Sequence, residues 1–164
     1  SYIDSVVLMA ALPTPFSFVA KRGLLGYPLV GMVLRKAGHL TIDKAALSDR
    51  LTGADEVAKR LRAGGRLMLF PEGTFARRPG LLPFRLGAFR AAVDTSRPVI
   101  PVALSGTRDV LPDGTWLFRR ASVGVTVGAP LVPHNQGWPE MVRLRDEARA
   151  FIARECGEAA STPD

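Results

Sequence analysis

Arg66 to Thr74 reads RLMLFPEGT, a short and mostly apolar run that passes directly into Pro71-Glu72-Gly73-Thr74. A run of this kind, without polar alternation, is the pattern of a strand buried on both faces of a sheet. Gly73 opens backbone conformations closed to other residues and lets a ligand come close. Glu72 and Thr74 bring an acceptor and a hydroxyl to the same spot. In α/β folds the sheet edge where strands end is where ligands bind. A plain strand-to-loop turn with a solvated Glu accounts for these residues equally well, so the turn alone does not decide function.

Working outward, strands and helices alternate on both sides of this stretch. Upstream, Asp4 to Leu12 reads as a short buried helix ending at Pro13, and Phe16 to Lys21 as a strand. Pro28 to Ala37 reads as a helix closed by Gly38, and Leu40 to Ile42 as a second strand. Thr52 can cap the next helix, with Asp55 in capping-box spacing. Ala54, Val57, Ala58 and Leu61 give it one apolar face, and Gly64-Gly65 end it. Downstream, Leu86 to Val93 reads as a helix and Val99 to Leu104 as a buried strand whose Pro101 demands an edge or a bulge. Ser122 to Val127 alternates like a strand, and Pro139 to Glu155 carries Met141, Leu144, Ala148, Phe151 and Ile152 at core spacing for a last helix. The order predicts an α/β fold: a single mixed, largely parallel sheet with helices packed on it.

Composition bounds the function. The chain has 164 residues, enough for one domain, expected over residues 1–158 with a flexible tail over 159–164. Twenty-two basic residues against 15 acidic give a net charge of +7, which favours anionic partners: nucleic acid, anionic lipid or phosphorylated small molecules. No aromatic–basic interleaving supports nucleic acid, and the acidic residues are spread along the chain. Cys156 is the single cysteine, so no internal disulfide forms, and it reads as a small residue near a helix end. With two distant histidines, His39 and His134, there is no metal-ligand spacing. No stretch approaches the roughly 18–20 apolar residues that span a bilayer.

The segment after the turn is one-sidedly basic. Between Glu72 and Asp94 there is no acid, but there are four arginines, Arg77, Arg78, Arg85 and Arg90. The guanidinium fork matches phosphate oxygens in two-point contacts. Arg77 and Arg78 stand nearest the turn, whereas Arg85 and Arg90 read as solvated. Leu81, Leu82 and Phe84, flanked by Arg78 and Arg85, are expected to touch a lipid surface.

Taken in order, these stretches resemble the phospholipid/glycerol acyltransferase family, the lysophosphatidic acid acyltransferase or PlsC-like family. Ser1-Tyr2-Ile3-Asp4 is similar to the tail of its His-x-x-x-x-Asp block. Gly38-His39-Leu40-Thr41-Ile42-Asp43-Lys44 resembles its second block, with lysine at the usual arginine. Phe70 to Thr74 matches the third block, and Val99 to Leu104, centred on Pro101, the fourth. Phe18 to Arg22 also resembles the stretch between the first two blocks. The likeness covers about residues 1–130. Two departures stand out. The block histidine would lie two residues before Ser1, and Phe75 stands where the family has an arginine after Glu-Gly-Thr, with Arg77 as the natural substitute.

The resemblance implies a glycerolipid acyltransferase-like fold and transfer of a fatty acyl group from acyl-CoA or acyl-carrier protein, as co-substrate, to a lysophospholipid hydroxyl. It implies no bound cofactor and no metal. Asp4 is the implied catalytic partner of the histidine. Glu72, Gly73, Thr74, Arg77, Arg78 and Lys21 are the implied substrate-binding residues. The implied setting is cytoplasmic, peripheral at the inner face of a membrane. The competing expectation is an inactive lipid- or phosphate-binding module without the base.

Overall fold

The computed structural model describes residues 3–21, 40–42, 52–73, 80–111 and 119–157. The elements are α1 (Asp4–Ala11), β1 (Ser17–Lys21), β2 (Leu40–Ile42), α2 (Thr52–Arg62), β3 (Leu67–Met68), α3 (Gly87–Thr95), β4 (Val102–Ser105), α4 (Thr107–Val110), β5 (Gly124–Val127) and α5 (Trp138–Cys156). The expected helix over Pro28 to Ala37 lies outside the described residues.

Local chemistry explains the boundaries. Asp4 in the first turn of α1 suits the positive end of the helix dipole. The helix stops at Leu12, whose extended backbone is what a following proline imposes. α2 carries Lys59, Arg60 and Arg62 in its last turn. At Gly65 just beyond, an added Cβ would lie 2.8 Å from the carbonyl oxygen of Arg60. α2 already includes Thr52, and its Asp55 carboxylate accepts from Arg90 at 3.4 Å. α4, a single turn, had no signal in the sequence pattern.

β1 is the middle strand of a parallel sheet ordered β2-β1-β3. Val19 to Lys21 pair with Leu40 to Ile42, and Ser17-Phe18 with Leu67-Met68. β4 and β5 form a separate antiparallel pair, Val102 opposite Val127 and Ser105 opposite Gly124. The described ladders thus make two small sheets rather than the single sheet expected. Two features account for it. β3 keeps only two residues before Pro71. Pro101, which has no N–H to donate, splits the expected strand into an isolated Val99–Leu131 bridge and β4.

Two apolar clusters hold the layers together. Val57 and Ala58 of α2 bury against Ala91 of α3, with Val19, Leu61, Leu67 and Leu69 packed around them. Leu81, Phe84, Phe89, Val93, Leu144 and Ala148 form the second cluster, joining the segment before α3 to α5. This corrects the lipid-contact expectation for Leu81, Leu82 and Phe84. Leu81 and Phe84 keep only 8% and 6% of their surface, and Leu82 is half-buried. Burial of a large apolar side chain is worth about 1.5–3 kcal/mol, so these residues anchor the segment to the core.

Candidate active site

The site is built on the exit from β3. Phe70 stacks on Phe18 of β1 with ring centroids 6.0 Å apart and planes 5° from parallel. The chain then turns, and the Gly73 N–H donates to the Phe70 carbonyl at 3.0 Å. Pro71 and Gly73 occupy the second and fourth positions of this β-turn, where each is favoured. Gly73 has φ +69°, in the left-handed region.

A second segment closes over the turn. The Arg85 N–H donates to the Pro71 carbonyl at 2.8 Å, and the Leu82 N–H donates to Oε2 of Glu72 at 2.9 Å. Arg149 of α5 donates to the Leu81 carbonyl at a long 3.4 Å. The 81–85 segment is therefore plugged into the core by Leu81 and Phe84 and tied to the turn by two hydrogen bonds. One oxygen of Glu72 holds the segment, so this carboxylate positions the corner as well as facing it.

Arg85 is the consequence. A Cβ added to Gly73 would stand 2.7 Å from Nε of Arg85 and 3.0 Å from its Cδ and Cζ. The arginine side chain lies across the glycine, in space that any side chain at position 73 would fill. From its sequence Arg85 is expected to be solvated. It is exposed, but at the corner and not on a remote face. The signal that could have found it is its place next to buried Phe84, which turns the following residue outward, in a stretch free of acids. Arg90 does behave as a surface residue, reaching Asp55 at 3.4 Å and Asp94 at 3.3 Å.

The other expected residues fall as follows. Asp4 opens α1, with its Oδ1 shielded from solvent. Lys21 ends β1, where its backbone pairs with Ile42 of β2. Thr74, Arg77 and Arg78 lie outside the described residues, as do Phe75, His39, Asp43 and Lys44. His134 is an exposed loop residue whose backbone N–H donates to Glu140. Cys156 sits at the end of α5, half-buried. Among the described residues no cluster of His, Cys, Asp or Glu could hold a metal ion, and no helix is long and apolar enough to cross a membrane.

A second charged centre lies at the start of α5. Glu140, 4% exposed, accepts from the His134 N–H at 2.8 Å and from the Arg143 guanidinium. Arg143 also donates to Glu147 at 3.0 Å and to the Val132 carbonyl at 2.9 Å. The hydrogen bond from Arg143, then that from the His134 backbone, lower the Glu140 carboxyl from its ordinary 4.5 to about 2. Glu140 and Glu147 in turn push the Arg143 guanidinium up.

The comparisons with known proteins agree with one another. The family model described as Acyltransferase matches residues 1–105. The chain is 34% identical over 150 residues to the 1-acyl-sn-glycerol-3-phosphate acyltransferase alpha of Homo sapiens, covering 91% of this chain and 53% of that protein. It is 30% identical over 132 residues to the 1-acyl-sn-glycerol-3-phosphate acyltransferase of Cocos nucifera, covering 80% and 43%. Thus it spans about half the length of the curated relatives it matches. In fold it is similar to the crystal structure of the 1-acyl-sn-glycerophosphate (LPA) acyltransferase PlsC from Thermotoga maritima. The TM-score is 0.75 at 24% identity, covering 94% of this chain and 61% of that one.

Proposed function

The chain belongs to the acyltransferase family, and on that footing we propose that it forms the core of an O-acyltransferase acting on a 1-acylglycerol 3-phosphate-like lysophospholipid in phospholipid biosynthesis. The acyl group comes from acyl-CoA or acyl-carrier protein. The observation that carries this reading is the corner at the end of β3. There a carboxylate, a left-handed glycine and an exposed guanidinium meet at the edge of a parallel sheet. A phosphorylated alcohol is a ligand that such a corner suits.

In this reading the acceptor hydroxyl oxygen attacks the thioester carbonyl carbon while its proton passes to an imidazole. Collapse of the tetrahedral adduct expels the thiolate, which takes up the proton. The imidazole is the one that the resemblance implies for the His-x-x-x-x-Asp block whose aspartate matches Asp4. Asp4 holds its tautomer and stabilises the imidazolium, as the acid of a protease triad does. The burial of its carboxylate supports Asp4 in that role. α1 leads into β1 through the short Leu12 to Phe16 connection, and the Oδ1 of Asp4 is shielded from solvent. Thr74, Arg77, Arg78 and Lys21 complete the acceptor site. The setting is cytoplasmic, peripheral at the inner face of the membrane. The net charge of +7 supports it, as do the exposed Val6 and Met9 on α1.

The test is acyl transfer by the full-length protein, with both donor types, onto 1-acylglycerol 3-phosphate. The parent is expected to be active and D4N to lose about 10²–10⁴ in kcat. An active D4N variant removes Asp4 from the mechanism. A parent that binds lysophospholipid but transfers nothing establishes the inactive module instead.

A further inference from the structure

Resting on the acceptor reading above, we infer that Arg85 is a specificity-determining residue that recognises the phosphomonoester of the acceptor. Four observations place it. Its backbone N–H is tied to the Pro71 carbonyl, which fixes the Cα against the turn. Its neighbour Phe84 is 6% exposed and packed in the core, so the two adjacent side chains part, Phe84 inward and Arg85 outward. Its Cδ, Nε and Cζ lie over Gly73, within 3.0 Å of where a Cβ would be, so the stem rests on the one residue that leaves room for it. Finally, the described residues give its guanidinium no carboxylate partner, although Arg90, five residues on, reaches two aspartates.

These features distinguish a cation held ready from one used in folding. The Arg85 guanidinium lies beside Gly73 on an exposed residue, and its planar fork presents donors suited to paired oxygens. No acid occurs in the sequence between Glu72 and Asp94, and one oxygen of Glu72 accepts from the Leu82 N–H. A phosphomonoester oxygen pair fits the fork, and its charge distinguishes this acceptor from an uncharged monoacylglycerol.

Equilibrium binding of short-chain 1-acylglycerol 3-phosphate and of the matching monoacylglycerol to the full-length protein tests the inference without relying on turnover. R85A should weaken the phosphate ligand about 10- to 100-fold and leave the uncharged one within about twofold. R85K, which keeps the charge and loses the fork, should fall between. Unchanged affinity for the phosphate ligand in R85A, or equal losses for both ligands, would overturn the inference. Equal losses with a lowered Tm would mark Arg85 as a structural residue. Turnover of the parent, measured separately, decides the proposed reaction. An inactive parent whose phosphate binding still depends on Arg85 would reject the reaction and keep the subsite.

Discussion

Arg85 and Arg143 are the same side chain put to opposite uses. Arg143 spends its donors on the fold: two carboxylates and a backbone carbonyl surround it, and the Glu140 it holds is almost fully covered. Arg85 is carried on an equally well-anchored segment, but its head group lies over a glycine and faces solvent. In one region the charge is consumed in pinning a loop to a helix start. In the other the packing is apolar and the charge is left over. The number of arginines near a turn therefore says less than which of their donors are already committed.

The largest effect that tests this contrast is on packing beneath the corner. Phe84→Ala should destabilise the protein by about 3–5 kcal/mol in denaturant unfolding, since it opens a cavity between α3 and α5. A small loss would mean that the segment bearing Arg85 is not held by the core. Gly73→Ala comes next. It puts a Cβ into the left-handed region, at about 1–2 kcal/mol, and into the space of the guanidinium. It should weaken 1-acylglycerol 3-phosphate more than monoacylglycerol, and a Gly73→Ala protein that binds both as before would detach the glycine from Arg85.

The Arg143 centre should answer to pH instead. Glu140 has a folded value of about 2, below its ordinary 4.5. Its contribution to stability is complete above about pH 4.5 and is lost as pH falls toward 2. Unfolding followed across that window should show a steeper acid loss in the parent than in E140Q. Identical slopes would remove Glu140 from the acid transition. The smallest effect belongs to Arg90→Ala, which breaks two exposed ion pairs and should cost about 0–1 kcal/mol. A larger loss would show that α2 and α3 depend on it more than burial of Val57, Ala58 and Ala91 suggests.

Much of this was legible in the residues. Apolar spacing and the prolines or glycines at their ends located α2, α3 and α5 to within a residue or two; α1 lies where Pro13 ends it, but it buries only Leu8 and leaves Val6 and Met9 exposed, where a buried helix is expected. Sequence pattern located the turn because Pro71 and Gly73 sit where turns want them. It failed where the answer depends on tertiary contact. Leu81 and Phe84 have the same composition whether they face lipid or core, and only α5 packing against them decides. The division into two small sheets was not recoverable, because hydrogen bonding at β3 and at Pro101 is interrupted by backbone chemistry whose consequences depend on the neighbouring strand. Arg85 was read as solvated because exposure and usefulness look alike in a sequence. The Glu140–Arg143–Glu147 spacing was visible as i, i+3 and i+4 neighbours, but the His134 N–H that completes it comes from a loop.

An experimental structure of the full-length protein with 1-acylglycerol 3-phosphate bound measures the central claim most directly. The phosphate is expected within hydrogen-bonding reach of Arg85 beside Gly73, with the acceptor hydroxyl about 2.6–3.2 Å from an imidazole held by Asp4. A phosphate bound away from that turn, with Asp4 facing no part of the lipid, would contradict it.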